Sequence, residues 1–106
     1  MTAYAVAVIS ETRFGDEIRE YLQRIDDTLT PFSGKYRMHG GPYQVLEGAW
    51  AGDLVVIEFP SMDQARDWYA SDAYKAIRSL RIAHTSGDLF LVQGVPEEHK
   101  ATDLLA

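Results

Sequence analysis

The chain alternates between short, almost continuously apolar runs and longer segments in which apolar residues recur with helical spacing. The runs 3–9, 54–59 and 89–95 are rich in β-branched and aromatic residues, which is typical of strands with apolar neighbours on both faces. Glycine and aspartate at 87–88 predict the turn into the last of these strands. The apolar runs therefore predict a sheet that needs a cover on each face.

Two segments of the chain have the spacing of amphipathic helices. Between Asp16 and Leu29 apolar residues recur three and four positions apart, and this helix should end before Pro31, because proline restricts the residue before it. Ser61 and Ser71 precede two further helical segments, and serine oxygens accept hydrogen bonds from the free amide groups of a first turn. The sequence thus predicts one helix in the first half and a helix pair in the second.

The segment between these helical regions predicts a more exposed strand. Alternation along 35–39 indicates a half-buried strand with Tyr36 and His39 on opposite faces. The Gly-Gly-Pro sequence at 40–42 predicts a bend or bulge, since glycine permits positive φ and proline lacks an amide donor. Residues 43–47 are expected to resume an extended run.

The element order predicts a ferredoxin-like βαββαβ fold of class α+β, with an antiparallel sheet and helices on one face. We expect a single domain over residues 1–96, followed by a C-terminal tail over 97–106. Because the strands are apolar on both sides and the helices cover one face, we expect a second copy to cover the other. The simplest such assembly is a two-fold homodimer.

Composition and charge exclude several function classes. The chain has 106 residues, with 10 Lys and Arg against 16 Asp and Glu, and its net charge of −6 opposes binding to the phosphate backbone of nucleic acids. No apolar run approaches the ~20 residues that span a bilayer, and the first residues do not resemble a secretory signal. Without cysteine there are no disulfides or thiolate sites. We expect a cytoplasmic protein without nucleic-acid or membrane partners.

Glu58 and His39 are the candidate catalytic residues. Alternation places Glu58 on an apolar face, where a desolvated carboxylate is suited to general acid/base chemistry unless an arginine or backbone donors pair with it. His39 adjoins two glycines that let a ligand approach the backbone, and an imidazole transfers protons near neutral pH. A structural role is the alternative for each. The histidines lack metal-ligand spacing, so no metal site is predicted.

Aromatic and cationic side chains of the second half offer a further candidate pocket. Arg78 and Arg81 either bind a substrate carboxylate or complement the helix C-terminus and surface acids, and the second interpretation is favoured. Four aromatic residues are enough to line a small apolar pocket, although core packing is the better interpretation for Trp68. These four residues are Trp50, Trp68, Tyr69 and Tyr74.

Several spaced motifs resemble one known family. The segments 39–42 (His-Gly-Gly-Pro), 46–48 (Leu-Glu-Gly), 58–61 (Glu-Phe-Pro-Ser) and 68–69 (Trp-Tyr) together resemble the family called domain of unknown function 1330, over residues 3–95. The resemblance implies a ferredoxin-like subunit of the dimeric α+β barrel superfamily, in which two sheets meet face to face. It also implies pocket residues, with Glu58 joined by four candidates for ligand binding. These four are Trp50, Ser61, Tyr69 and Arg81.

Three hypotheses about function follow, and they leave open whether the protein is an enzyme. In the first, a dimer binds a small apolar or carboxylated molecule, without a cofactor, in a cavity between sheet and helices. In the second, the protein is a cofactor-independent monooxygenase or an isomerase-like enzyme, with Glu58 as base and His39 or Arg81 as its partner. In the third, it is a non-catalytic, stress-associated dimer. Haem binding through His39 or His84, as in some relatives of this fold, is less favoured.

Overall fold

The computed structural model describes residues 1–105 and shows a four-stranded antiparallel sheet with helices packed on one face. The elements are, in chain order, β1 (Ala3–Thr12), α1 (Asp16–Leu29), β2 (Lys35–His39), β3 (Asp53–Phe59), α2 (Met62–Ala70), α3 (Asp72–Ile82) and β4 (Thr85–Gln93). The strand order is β2-β3-β1-β4, and every neighbouring pair is antiparallel. The predicted ferredoxin-like α+β fold is confirmed.

Proline and serine residues mark the ends of the helices. α1 has the predicted bounds, and a 3-10 turn at Thr30–Phe32, which contains proline, follows it. The Ser61 hydroxyl accepts a hydrogen bond from the Gln64 amide at 3.2 Å and so caps α2. The Ser71 hydroxyl caps α3 in the same way, through the Tyr74 amide at 3.2 Å. The two serine caps divide the helix pair as the sequence predicts.

The core lies between the helices and one face of the sheet, which we call the inner face. Alternate β1 residues Ala3, Ala5 and Ala7 are buried there, and their small side chains leave room for large ones above them. Trp68 of α2 is 1% exposed, and its Nε1 donates a hydrogen bond to Thr28 Oγ1 of α1 at 3.0 Å. The indole thus joins two helices over the alanines of the central strand.

The opposite face of the sheet, the outer face, is apolar and carries no helix. Its apolar residues come from all four strands and are half-buried or exposed. They are Tyr4, Val6, Val8, Met38, Leu54, Val56, Phe90 and Val92. Phe90 and Val92 remain 47% and 43% exposed. A sheet with two apolar faces, one of them uncovered, is what the strand composition predicts.

The predicted strand over 43–47 does not form. Gly40 has φ of 77°, which turns the chain out of the sheet after β2, and Pro42 follows without an amide donor. Residues 40–52 instead form an irregular loop, in which the Tyr43 hydroxyl accepts a hydrogen bond from the Leu54 amide at 2.7 Å. The side chain of Tyr43 thereby satisfies a donor at the start of β3.

The predicted turn at Gly87 and Asp88 is wrong, because both residues lie inside β4 and pair with β1. Gly87 has φ of 151°, and a Cβ at this position would lie 2.2 Å from the Val8 carbonyl oxygen. Glycine is therefore needed for the close approach of two strands rather than for a turn. The strand starts earlier than predicted, at Thr85, and ends at Gln93.

After β4 the chain continues as an irregular segment with a 3-10 turn at Ala101–Leu105. Leu104 and Leu105 are each 83% exposed, and Ala106 lies outside the described residues. No helix within residues 1–105 is both long and apolar enough to cross a lipid bilayer.

Candidate functional site

A cavity of about 300 Å³ lies between the inner face of the sheet and helices α1 and α3. Ala5 and Ala7 of β1 form part of its floor, and Ile18 and Ile25 of α1 form part of its wall. The cavity exists because the central strand presents small residues below helices that are held apart by larger ones. Its lining is mostly apolar, which is typical of a site for a small organic molecule.

Two tyrosines and an arginine form a polar cluster in the cavity wall. Tyr21 of α1 and Tyr74 of α3 join hydroxyl to hydroxyl at 2.8 Å, and Arg81 Nε donates to the Tyr74 hydroxyl at 3.3 Å. Tyr74 and Arg81 are seven residues apart, so two helical turns place them on the same side of α3. Burial, followed by the nearby Tyr74, raises the pKa of Tyr21 above its ordinary value. The cluster therefore offers two phenol hydroxyls beside one cation.

His39 and Tyr36 of β2 lie in another part of the cavity lining, with their rings stacked 4.7 Å apart. Strict alternation predicted opposite faces for these two residues. A bulge between Tyr36 and Met38 adds one residue to β2 and turns His39 to the inner face. Burial, and then the Asp26 carboxylate, raises the pKa of Tyr36. Asp53, at the start of β3, also lines this region.

Glu58 and His39 do not share a site within this chain, contrary to the sequence-based expectation. Glu58 lies on the outer face, where it accepts hydrogen bonds from Arg37 Nε at 3.2 Å and Arg37 Nη2 at 3.0 Å. These hydrogen bonds lower the pKa of Glu58 below its ordinary value. The ion pair, which was the alternative for Glu58, is the arrangement observed, and the sheet separates this carboxylate from the cavity.

The other candidate residues divide between the cavity and structural positions. Arg81 lines the cavity, whereas the Ser61 side chain caps α2. Trp50 is 39% exposed in the 40–52 loop and meets Tyr43 edge to face, with ring centroids 6.0 Å apart. Tyr69 packs against the core below Arg78, whose guanidinium carbon lies 4.9 Å from the ring centroid. Of the four expected ligand-binding residues, Arg81 alone is in the cavity lining.

His84, one of the two histidines considered in the less favoured haem hypothesis, lies outside the cavity lining. Its Nδ1 is 2.8 Å from the Leu80 carbonyl oxygen, and its Nε2 is 3.9 Å from a carboxylate oxygen of Glu17. Within residues 1–105, no three His, Asp or Glu side chains group as potential metal ligands.

We predict that Glu58→Gln lowers the free energy of unfolding by the same amount at about pH 5 and about pH 8. Because the folded-state pKa is below the unfolded value, the carboxylate stabilises the fold above the unfolded pKa and loses this effect as the pH falls through the folded pKa. The difference between wild type and variant should therefore shrink only in more acidic solution. Urea unfolding at several pH values measures it. A difference that changes between pH 5 and 8 would show that Glu58 titrates there.

Comparison with known families identifies the chain. The family model DUF1330, described as a domain of unknown function, matches residues 2–95. The chain belongs to the DUF1330 family. The resemblance seen in the sequence is thereby confirmed, and the match includes every element that lines the cavity. Among curated proteins, none matches this DUF1330 chain.

Solved structures resemble this DUF1330 subunit over nearly its whole length. RPA0582, of unknown function, from Rhodopseudomonas palustris is 15% identical, with a TM-score of 0.68 over 90% of this chain and 83% of that chain. Rv0793 from Mycobacterium tuberculosis is 16% identical, with a TM-score of 0.53 over 93% and 100% of the two chains. SnoaB, a cofactor-independent oxygenase from Streptomyces nogalater, is 12% identical, with a TM-score of 0.52 over 93% and 96%. At these identities the likeness shows the fold alone.

Sequence reasoning did not assign Tyr21, Tyr36 or Asp53 to the DUF1330 cavity. Tyr21 follows the helical spacing of α1, so its inward position was readable, but its contact with Tyr74 depends on how two helices cross. Tyr36 and Asp53 face the cavity beside His39. The sequence does contain one signal of the polar cluster. Tyr74 and Arg81 are seven residues apart, and this spacing places a phenol and a cation on the same side of α3.

Proposed function

We propose that the protein is a homodimer that binds a small, mainly apolar molecule in the cavity between the inner face and helices α1 and α3. The cavity itself carries the proposal, because about 300 Å³ of mostly apolar lining is at the lower end of the range typical of ligand sites. A dry apolar cavity of about 150 Å³ accepts benzene. This one therefore has room for a two-ring molecule.

The apolar outer face supports the homodimer. Monomers rarely leave a contiguous apolar patch of this kind exposed, and a shallow depression on it is flanked by the Arg37–Glu58 ion pair. A two-fold axis parallel to the sheet, lying just beyond the outer face, would bring this self-complementary surface against its own copy. The resemblance to dimeric α+β barrels implies the same arrangement of two facing sheets.

Binding rather than catalysis is the function that the geometry favours. The fold is shared with a cofactor-independent oxygenase, but the carboxylate expected to act as base, Glu58, is paired with Arg37 on the outer face. A reaction that needs Glu58 and His39 together has no common cavity within one subunit. The proposal therefore gives the cavity a ligand and assigns no reaction to it.

Isothermal titration calorimetry with the neutral probe 2-naphthylmethanol tests the site. We expect a dissociation constant on the order of 10–100 μM, from ~0.5 kcal/mol for each of about 12 non-hydrogen atoms. Ala7→Leu extends a side chain of the floor into the cavity and should weaken binding about tenfold or more. Ala70→Leu, the same change at an exposed position of α2, is the matched control and should bind like wild type. Wild-type protein that gives no binding, or Ala7→Leu that binds equally well, would contradict the proposal.

A further inference from the structure

We propose that the ligand of this cavity is a small monocarboxylate with an apolar body, and that its carboxylate binds Arg81 beside Tyr21 and Tyr74. This inference rests on the proposed function, because it names the chemical class of the molecule in the same cavity. It assigns Arg81 the role of recognising the charge of the ligand. The apolar wall on the other side of the cluster would hold the body of the ligand.

The surroundings of Arg81 lack a counter-charge. Its guanidinium is half-buried, where a charge without a partner is costly, and it forms no ion pair with a carboxylate within residues 1–105. The hydroxyls of Tyr74 and Tyr21, which are neutral, lie beside it. A phenol hydroxyl accepts a hydrogen bond but does not neutralise the charge. The cation is thus left available for an anion that enters the cavity.

Four of the other six arginines form ion pairs in this chain of net charge −6, whereas Arg19, which is exposed, and Arg78, which lies over the Tyr69 ring, form none within residues 1–105. Carboxylates pair with Arg13, Arg24, Arg37 and Arg66, all of them on the exposed surface, where such pairs contribute little to stability. An ion pair at half-buried Arg81 would offset a larger desolvation cost than an ion pair at those exposed positions. No carboxylate of residues 1–105 pairs with Arg81. An anionic ligand completes the arrangement with the planar, two-pronged contact that guanidinium groups make with carboxylates.

The phenol pair supplies a further donor for the same anion. Tyr21 and Tyr74 carry two hydroxyl hydrogens, and their mutual hydrogen bond at 2.8 Å uses one of them. Arg81 Nε donates to Tyr74, so it does not use the other hydrogen. One O–H therefore remains to donate to a ligand oxygen next to the guanidinium. The cluster presents two kinds of donor to a single anionic group.

The charge count selects a monoanion. Arg81 is the one arginine of the mostly apolar lining within residues 1–105, and Asp53 adds a carboxylate near His39. A second negative charge on the ligand, as on a phosphate monoester, would therefore be desolvated without compensation. A carboxylate carries one charge and matches the guanidinium geometry. Small aromatic or branched aliphatic carboxylates of up to about two rings fit both the charge and the volume of the cavity.

Calorimetry with two probes of nearly equal size tests the inference: 2-naphthoate, which carries the carboxylate, and neutral 2-naphthylmethanol. We expect wild type to bind 2-naphthoate about tenfold or more tightly than the alcohol, because a charge-assisted contact replaces a neutral one. Arg81→Met should abolish this preference, because 2-naphthoate then loses its charge-assisted contact. Arg78→Met is the matched control, since Arg78 lies one turn away on α3 and over Tyr69, outside the cavity lining, and should keep the preference.

The outcomes separate the two proposals. If wild type binds both probes equally, or if folded Arg81→Met retains the preference, the carboxylate assignment is overturned while the cavity proposal stands. If neither probe binds wild type, the cavity proposal fails as well. The wild-type comparison needs no variant, so it decides the question even if Arg81→Met does not fold, as judged by circular dichroism.

Discussion

Val56→Lys is expected to convert the homodimer into folded monomers. Val56 lies on the outer face of β3, opposite Val6 of the central strand, and so stands near the middle of the proposed interface. In a two-fold dimer the substitution places two ammonium groups in one apolar contact. Desolvating such charges without partners costs several kcal/mol, which corresponds to a dissociation constant raised about 1000-fold or more. The inner face and its core are untouched, so each subunit should remain folded.

Sedimentation equilibrium at micromolar concentration measures this change. Wild type should have the mass of two chains, and Val56→Lys the mass of one. Ile82→Lys provides the matched control, because it replaces an exposed apolar residue at the end of α3, on the helix side of the sheet. That variant should remain dimeric. A monomeric wild type, or a Val56→Lys protein that stays dimeric, would remove the interface from the outer face.

Trp68→Ala is expected to reduce the free energy of unfolding by about 3–5 kcal/mol. The indole ring lies 4.2 Å from the Tyr74 ring and 5.4 Å from the Phe59 ring, measured between centroids. Its loss would leave a large void between α2 and the sheet and would remove the hydrogen bond to Thr28 Oγ1. Since Trp68 also lines the cavity, the variant would enlarge the ligand site as well as weaken the core.

Urea unfolding followed by circular dichroism measures the loss. Trp50→Ala is the natural comparison, because it removes the only other tryptophan of the chain from an exposed loop position. We expect that control to lose about 1 kcal/mol or less, as is usual for surface positions. Equal losses at Trp50 and Trp68 would contradict the assignment of Trp68 to the centre of the core.

Local chemistry made much of the fold predictable. The bounds of α1 follow from its apolar spacing and from Pro31, and the caps of α2 and α3 follow from Ser61 and Ser71. Such signals lie within a few residues of the element that they define. The apolar character of both sheet faces was readable for the same reason, since it depends only on which residues each strand contains.

Features that depend on a distant partner were not predictable. Whether 43–47 forms a strand depends on a neighbouring strand to pair with, and none is available once the chain turns at Gly40. The bulge that brings His39 to the inner face is a property of how β2 pairs with β3. Gly87 was interpreted as a turn, because the close approach of Val8 to it is visible only in three dimensions.

The candidate site also combines features that follow from nearby residues with features that depend on distant partners. Glu58 was correctly identified as a carboxylate among the apolar residues on one face of β3, but its partner Arg37 could be named only from the pairing of two strands. Arg81 was among the expected pocket residues, while its neighbour Tyr21 comes from a helix more than fifty residues earlier in the chain. Helix spacing revealed which residues share a face, and tertiary packing decided which faces meet around the cavity.

A crystal structure of the protein with 2-naphthoate at saturating concentration tests the ligand site most directly. We predict that the naphthalene ring lies between β1 and helices α1 and α3, with its carboxylate within hydrogen-bonding distance of Arg81. If the structure contains no 2-naphthoate, or contains it only at another surface, the assignment of this cavity as the binding site is contradicted.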